Sequence, residues 1–178
     1  MRIIAGRHRG LNLAQFSSGG IRPTTDRVKE SLFNILYNKI NSACVLDLFC
    51  GSGNLGIESL SRGAESVHFN DISKDSLAVL KKNLNKIDDK NYKITCLDYK
   101  TCLQSADRAD IIFIDPPYAT DFGKGALEII AERRILNGGG VAVLERDKSF
   151  SGEIEGLIMY DERKYGRVYL SFFKEVEK

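Results

Sequence analysis

Long apolar runs are absent from this chain of 178 residues. No stretch approaches the roughly 18 apolar residues that cross a bilayer, and the amino terminus lacks the long apolar core of a signal peptide. We therefore expect a cytoplasmic protein with no membrane partner. Repeats and low-complexity tracts are also absent, and a chain of this length fits one domain.

Cysteine and histidine are scarce and form no metal-binding pattern. The four cysteines make two pairs with a spacing of six, which matches no Cys-x-x-Cys motif. The two histidines, His8 and His68, add no ligand cluster. We therefore predict neither a metal site nor a disulfide, and we expect Cys44 and Cys96 to be small buried residues in strands.

Charges of the two signs nearly balance, with a net charge of +2, but they are unevenly distributed. Residues 1–40 contain seven Lys and Arg against two acidic residues, so this part is strongly basic and the rest of the chain is slightly acidic. Such a distribution indicates a polyanionic partner. A basic surface that only contacts solvent fits the charge equally well.

Only three prolines occur, and two of them are adjacent in the tetrapeptide Asp115-Pro116-Pro117-Tyr118, which directly follows the apolar run 111–114. Because proline lacks an N–H and fixes φ, a strand must end here. The loop then holds a carboxylate and an aromatic ring at the carboxyl end of that strand, where open α/β sheets bind ligands. A rigid acceptor beside a flat ring suits a planar substrate that carries an amino group.

A glycine-rich turn at residues 51–56, with the sequence GSGNLG, follows an earlier strand and matches Gly-x-Gly-x-x-Gly. Asp71 ends the next predicted strand, as expected for a carboxylate that binds ribose hydroxyls. This pattern fits a dinucleotide or S-adenosylmethionine. Asp47 precedes the turn and would repel a pyrophosphate but attract a sulfonium, which favours S-adenosylmethionine. Asp98, after the third strand, could accept from an adenine amine or cap a helix.

From residue 43 onward, strand and helix patterns alternate. The predicted strands are Cys44–Leu48, Ser66–Asn70, Tyr92–Leu97, Asp110–Ile114 and Gly140–Glu145. The predicted helices are Leu55–Ser61, Lys74–Ile87, Thr101–Ala106 and Gly125–Leu136, the last ended by the glycines 138–140. Two further runs, Gly156–Tyr160 and Arg167–Phe173, are typical of a closing antiparallel hairpin. Because the middle strands are almost wholly apolar, they should be parallel and covered on both faces.

The first part of the chain is expected to form an arm followed by a helix. Residues 2–13 alternate weakly like a short hairpin, and residues 17–20 form a flexible break. A helix should open near Asp26 and place apolar residues on one face, namely Val28, Leu32, Phe33, Leu36 and Ile40. We therefore predict a basic arm at residues 1–21 and one doubly wound α/β domain at residues 22–178.

Several segments together resemble the bacterial 16S ribosomal RNA guanine-N2 methyltransferases of the RsmD type, within the class I S-adenosylmethionine-dependent enzymes. The resemblance rests on residues 2–6, 9–10, 22–34, 46–53, 55–64, 115–118 and 165–166. Its most specific part is the Arg-Pro-Thr-x-Asp-Arg helix start combined with the glycine turn. The chain departs from the family at Cys50 and Asn54, where alanine is common, and at residues 71–73, where Asp-Ile-Ser replaces Glu-x-Asp.

The resemblance implies methylation of the N2 amine of a guanine in 16S rRNA, either free or in an assembling small ribosomal subunit. It implies a seven-stranded sheet with an antiparallel last strand, S-adenosylmethionine as donor and S-adenosylhomocysteine as product. We expect a monomer. The expected cofactor-binding residues are Asp47, Phe49, Gly51, Ser52, Gly53, Asp71, Ile72, Asp98 and Tyr99.

The expected catalytic residues are Asp115, Pro116, Pro117 and Tyr118, and the expected RNA contacts are Arg2, Arg7, Arg9, Arg22, Arg27 and Lys29. An exocyclic amine is a poor nucleophile because the ring delocalises its lone pair. Asp115, or the adjacent carbonyl, would accept a hydrogen bond from this amine, and Tyr118 would stack on the base. The base must be turned out of its helix or supplied by a loop.

Three other functions fit parts of the pattern. An Asp-Pro-Pro-Tyr methyltransferase could act on adenine-N6 of DNA or RNA, or on a protein glutamine, because each presents an sp² nitrogen. An NAD-dependent oxidoreductase would use the same glycine turn. A non-catalytic RNA-binding module would need only the basic arm.

Overall fold

The computed structural model describes residues 1–15, 26–118 and 120–176. In these residues the strands are β1 (Cys44–Asp47), β2 (Ser66–Asn70), β3 (Tyr92–Thr95), β4 (Ala109–Ile114), β5 (Leu136–Arg146), β6 (Leu157–Tyr165) and β7 (Val168–Glu175). The helices are α1 (Asp26–Ile35), α2 (Tyr37–Ile40), α3 (Asn54–Ser61), α4 (Lys74–Leu84), α5 (Tyr99–Ser105) and α6 (Phe122–Arg133). None of the helices in this part of the chain has the length and apolar character that a membrane crossing requires.

The strands form one seven-stranded sheet in the order β3-β2-β1-β4-β5-β7-β6. Every strand pair within β1 to β5 is parallel, whereas β7 is antiparallel to β5 and to β6. The predicted doubly wound α/β sheet with a closing antiparallel hairpin is therefore confirmed. The order reverses between β1 and β4, and a crevice at the carboxyl ends of these two strands is the expected ligand site.

Strand β4 supplies side chains to hydrophobic clusters on both faces of the sheet. Ile111 and Phe113 pack with residues of α1, α3 and α4, whereas Ile112 and Ile114 pack with residues of α5 and α6. Successive side chains of a strand point to opposite faces, so a strand that is covered twice must be apolar throughout. This requirement explains the uninterrupted apolar run that ends at Asp115.

The amino terminus folds back as a hairpin that belongs to the main core. Arg2 and Asn12 form an antiparallel bridge, and Ile3 and Leu13 are buried in the cluster on the α1 side. Glu58 of α3 accepts hydrogen bonds from the backbone N–H groups of residues 4 and 5. The expected flexible break, and the boundary at residues 21 and 22, lie outside the described residues.

Three local predictions are wrong. Helix α6 ends at Arg133, with Arg134 in the left-handed region (φ 51°), and the glycines 138–140 lie inside β5. Ile135 is buried and its neighbour Leu136 pairs with Ala109, so the chain enters the sheet before the glycines are reached. The predicted long first helix is divided into α1 and α2 at Leu36.

The third error concerns a cysteine. Cys96 follows β3 and is exposed, whereas Cys44 in β1 is half-buried. β3 is the edge strand and ends at Thr95, so the residue after it lacks a covering layer. The four thiols are free.

Candidate active site

The glycine turn joins β1 to α3 at the carboxyl edge of the sheet. Gly51 (φ +53°) donates its N–H to Asp71 Oδ2 at 2.8 Å, and a Cβ at Gly51 would have nothing within 4 Å. Gly53 (φ +88°) instead packs inward, because a Cβ there would lie 2.4 Å from Leu80 Cδ1. One glycine therefore faces open space and the other allows α4 to approach. The neighbouring Ser52 accepts from the amide of Asn83 through its carbonyl oxygen.

Asp47 lies beneath this turn and is only 2% exposed. Its Oδ2 accepts the N–H of Gly56, in the first turn of α3, at 2.9 Å. Burial raises the pKa of Asp47 to about 7, the bond from Gly56 opposes this shift, and the charge of Asp71 adds to it. The carboxylate thus holds the turn closed while it remains easy to protonate.

Asp71 and Ile72 follow β2 at the same edge. Asp71 accepts from the N–H groups of Gly51 and Ser73, each at 2.8 Å, and is half-buried. Ile72 is 71% exposed, which is unusual for a large apolar side chain beside a polar turn. An acceptor and an uncovered apolar side chain are therefore adjacent at this edge.

Asp98 caps α5. Its Oδ1 accepts from the N–H groups of Lys100 and Thr101, both at 3.1 Å, and the Thr101 hydroxyl donates to Oδ2. The bonds from Thr101 and then Lys100 lower the pKa of Asp98. Of the two roles that the sequence left open, the helix cap is therefore observed, and the contact with an adenine amine stays a prediction.

Three aromatic rings connect the glycine turn to the loop after β4. The ring centroids of Phe49 and Tyr99 are 5.7 Å apart, and those of Tyr99 and Phe122 are 5.1 Å apart. Gly125 makes room for this row, because a Cβ there would lie 2.7 Å from the Tyr99 hydroxyl. Phe122 contributes to this row although the sequence pattern gave it no role.

The Asp-Pro-Pro-Tyr loop directly follows β4. Ile114 of β4 pairs with Leu144 of β5, so Asp115 and Glu145 are the next residues on the two neighbouring strands. The hydroxyl of Tyr118 donates to Glu145 Oε1 at 2.9 Å, while the Tyr118 residue is 42% exposed. The loop therefore holds one face of the tyrosine toward solvent and ties its hydroxyl to the sheet.

The carboxylates at these strand ends affect one another. Burial, then Glu145 and Asp47, raise the pKa of Asp115 well above its usual range. Burial, then Glu145 and Asp115, also raise the pKa of Tyr118, so its hydroxyl remains a donor. This concentration of acidic groups suits a cationic ligand.

A cleft of about 850 Å³ opens in front of Tyr118. Its walls come from the start of α1, the strand end at β5 and the β6–β7 turn, and its lining residues are Arg27, Val28, Tyr118, Glu145, Asp147, Lys164, Tyr165, Gly166, Arg167 and Val168. Positive groups from two segments thus surround a pocket with acidic groups inside. Sequence reasoning assigned no role to Glu145, although an acid directly after the apolar run 141–144 was a usable signal.

The expected RNA contacts have different environments. Arg9 and Arg27 are exposed, whereas Arg2 pairs with Asp26 at 3.0 Å and Arg7 pairs with Asp89. The side chains of Arg2 and Arg7 nevertheless remain more than half exposed, with relative exposures of 63% and 61%. Arg22 lies outside the described residues.

The expectation that Lys29 contacts RNA phosphate is wrong. Its side chain is 0% exposed, and Nζ lies 3.1 Å from Glu58 Oε2. The ammonium also donates to the Arg2 carbonyl at 2.6 Å and to Asn54 Oδ1 at 2.8 Å. Burial lowers the pKa of Lys29, partly opposed by Glu58. Lys29 therefore connects α1, α3 and the hairpin inside the protein, because its donors are used there.

His8 has more neighbours than the sequence indicated. Its Nε2 lies 2.7 Å from Asp89 Oδ2 and 3.3 Å from Asp88 Oδ1, so these residues form a possible ligand cluster. The expectation that the histidines add no such cluster is therefore wrong. Arg7 also pairs with Asp89, so these polar contacts together fasten the hairpin to the loop after α4.

Known proteins resemble this chain over most of its length. A sequence profile of the family described as Conserved hypothetical protein 95 matches residues 1–174. A Haemophilus influenzae protein named Ribosomal RNA small subunit methyltransferase D is 38% identical over 153 residues, which are 83% of this chain and 79% of the relative. A Buchnera aphidicola protein of the same name is 30% identical over 181 residues, which are 99% of this chain and 92% of the relative.

Solved structures share the fold. That of yhhF from Escherichia coli, described as a candidate methyltransferase, has a TM-score of 0.88 and 29% identity, and covers 98% of this chain and 97% of its own. A hypothetical protein from Thermus thermophilus has a TM-score of 0.84 and 25% identity, over 97% of this chain and 98% of its own.

Proposed function

The chain belongs to the family described as Conserved hypothetical protein 95, and on that premise we propose that it transfers a methyl group from S-adenosylmethionine to the N2 amine of a guanine in small-subunit ribosomal RNA. The observation that carries the proposal is the Asp115–Tyr118 loop, which follows β4 at the same sheet edge as the glycine turn and whose Tyr118 borders the 850 Å³ cleft. The names of the relatives, rRNA small subunit methyltransferase D, support the same substrate.

The residues at the glycine turn fit S-adenosylmethionine. Gly51 leaves open space where a side chain would project, and the half-buried Asp71 keeps acceptor capacity for ribose hydroxyls. The exposed Ile72 offers an apolar surface to an adenine, and Asp98 an acceptor to its amine. When bound, this cofactor supplies a methyl group on a cationic sulfur and leaves as S-adenosylhomocysteine.

The buried acids favour a cationic donor. Asp47 and Asp115 both interact unfavourably with neighbouring carboxylates in the free protein. A positive charge at the carboxyl edge would relieve that repulsion and favour their ionised forms. The same acids would oppose a pyrophosphate, which weakens the oxidoreductase alternative.

The loop after β4 orients the base. Asp115, or its neighbouring carbonyl, accepts a hydrogen bond from the base amine, and the raised pKa of Asp115 enables it to take the proton that the methylated nitrogen loses. Tyr118 stacks its exposed ring on the base. Catalysis is then mainly a matter of positioning.

The cleft also suits a nucleic acid. Arg27, Lys164 and Arg167 surround it and are exposed, so they can contact the phosphates that flank a base turned into the pocket. Arg9 of the hairpin is also exposed and stays a candidate for a phosphate contact. We expect a cytoplasmic monomer that acts on 16S rRNA, free or within an assembling small subunit.

Mapping of N2-methylguanine in 16S rRNA tests this function directly. Cells with and without the protein should differ at one guanine, and the wild-type gene should restore the modification. Purified protein with labelled S-adenosylmethionine should modify the same position in rRNA or in immature subunits. Methyl groups on adenine N6 or on a protein glutamine would instead support the alternatives.

Asp115→Ala should lower methyl transfer by about 100-fold or more, because the amine loses its acceptor. Affinity for the cofactor, measured by calorimetry, should remain close to that of the wild type. Asp107→Ala is the matched control, since Asp107 is exposed and lies before β4, whereas the loop follows it. Loss of cofactor binding in Asp115→Ala would contradict the assigned role.

A further inference from the structure

Glu145 is a buried acid in the lining of the cleft, and the methyl-transfer step described above does not use it. It is 3% exposed, yet it borders the cleft together with Tyr118. In the parallel pair of β4 and β5, Ile114 lies opposite Leu144. Asp115 and Glu145 are therefore in register, and their side chains start from the same face of the sheet.

The two carboxylates lie at neighbouring strand ends and repel each other, so Glu145 contributes to the raised pKa of Asp115. Such pairs are typical of functional sites rather than of stable cores. The cationic cofactor favours the ionised forms, and an ionised carboxylate can only accept hydrogen bonds. The pair therefore matches a substrate that presents two donors side by side.

The Watson–Crick edge of guanine is such a substrate. It carries N1–H next to the N2 amine, so two donors are adjacent, whereas adenine carries an N1 lone pair next to its N6 amine. We propose that Glu145 selects guanine by accepting its N1–H while Asp115 accepts from the N2 amine. This inference rests on the proposed function and names the group that excludes adenine.

Adenine is rejected by the same contact. An adenine with its N6 amine at Asp115 directs the N1 lone pair at the Glu145 carboxylate, and the two acceptors repel each other. The hydroxyl of Tyr118 donates to Glu145 Oε1, and this bond fixes the ring that stacks on the base. Recognition of the base by Glu145 and stacking by Tyr118 can be tested separately, because only the recognition by Glu145 involves N1 of the base.

The test uses RNA in which 2-aminopurine replaces the target guanine. This base keeps the 2-amine but has an N1 lone pair in place of N1–H. Wild-type protein should prefer guanine by about tenfold or more in kcat/KM, the discrimination typical of a direct base contact. E145Q should reduce that preference by about tenfold, because an amide can accept from N1–H or donate to a lone pair.

Two variants separate the possible roles. Y118F removes the hydroxyl and keeps the ring, so it should lower activity on both RNAs and leave the preference intact. D147N removes a charge from an exposed residue of the same cleft and should also leave the preference intact. A Y118F preference as small as that of E145Q would mean that Glu145 acts only through Tyr118, and would overturn the proposal.

Equal wild-type kcat/KM for the two RNAs also overturns it, and this measurement needs no variant. An unchanged preference in folded E145Q, with cofactor affinity retained, does the same. If wild-type protein binds cofactor but methylates neither RNA, the proposed function itself fails. Failure of the base reading alone leaves guanine methylated without discrimination.

Discussion

At the scale of single residues, the acids at the carboxyl edge destabilise the free protein. Asp47 is buried and has a pKa of about 7, compared with an ordinary value of 3.8. Between these values the folded chain binds a proton that the unfolded chain does not. The free energy of unfolding should therefore fall as pH rises from about 4 to 7, because the folded state must ionise a buried group.

Asp47→Asn should remove this decrease of the free energy of unfolding with rising pH. Relative to the variant, wild-type protein should lose about 2 kcal/mol of unfolding free energy between pH 5.5 and 7.5, at about 1.4 kcal/mol per pKa unit. The asparagine can still accept from Gly56 N–H, so the turn is retained. Urea unfolding without cofactor at both pH values measures the difference. Parallel pH profiles would contradict the prediction.

The same residue should make cofactor binding depend on pH. A cationic donor favours ionised Asp47, so at pH 6 binding must release a proton that is already lost at pH 7.5. Affinity of the wild type for S-adenosylmethionine should rise about tenfold over this interval, whereas Asp47→Asn should bind weakly at both values. Calorimetry in buffers of different ionisation enthalpy would detect the released proton. An equal rise in the variant would assign the dependence to another group.

At the scale of elements, the amino-terminal hairpin is anchored to α3. Ser61 is the main point of contact: its hydroxyl donates to the Ala5 carbonyl, and its own carbonyl accepts from the N–H of Arg7. Gly6 (φ +85°) passes so close that a Cβ would lie 1.8 Å from the Ser61 carbonyl oxygen. Glu58 and Lys29 complete the anchor in the interior.

Gly6→Ala should therefore destabilise the protein by several times more than Gly10→Ala. Gly10 has nearly the same positive φ, +87°, but nothing lies within 4 Å of a Cβ there. Backbone strain alone costs about 1–2 kcal/mol in both variants, whereas only Gly6→Ala must move the hairpin away from α3. Thermal unfolding measures the effect, and hydrogen exchange at residues 2–12 locates it. Equal losses in the two variants would show that the close contact has little effect.

At the scale of the whole molecule, exposed positively charged side chains lie at both edges of the sheet. The carboxyl edge carries Arg27, Lys164 and Arg167 around the cleft. Lys90 and Lys174 lie toward the opposite edge, before β3 and near the end of β7, and are exposed. A ribosomal RNA that enters the cleft should therefore contact the first group and not the second.

Replacement of Arg27 and Arg167 by alanine should weaken rRNA binding and lower its salt dependence. The slope of log K against log salt should fall by about 1.4 for two contacts with single-stranded RNA. Replacement of Lys90 and Lys174 removes the same charge and should leave the slope unchanged. Filter binding across a range of salt concentrations makes the comparison. Equal slopes in both double variants would remove the cleft from the interface.

The sequence by itself determined the order of the strands and helices. It also determined the chemistry of the glycine turn and of the Asp115–Tyr118 loop. Apolar runs that end in an acid predicted β1 and β4, because a strand covered on both faces must be apolar and its polar neighbours collect at the strand end. The glycine turn and the two prolines were visible for a local reason, since each imposes a backbone conformation that does not depend on distant residues.

Only the tertiary structure decided which charged side chains can contact a ligand. Lys29 and Arg27 are two residues apart, yet one is buried against Glu58 and the other borders the cleft, because helical spacing places them on different faces of α1. Glu145 lies next to Asp115 only because β5 pairs with β4, although about thirty residues separate them in the chain. Burial and strand pairing depend on the whole packed sheet, so no local pattern specifies them.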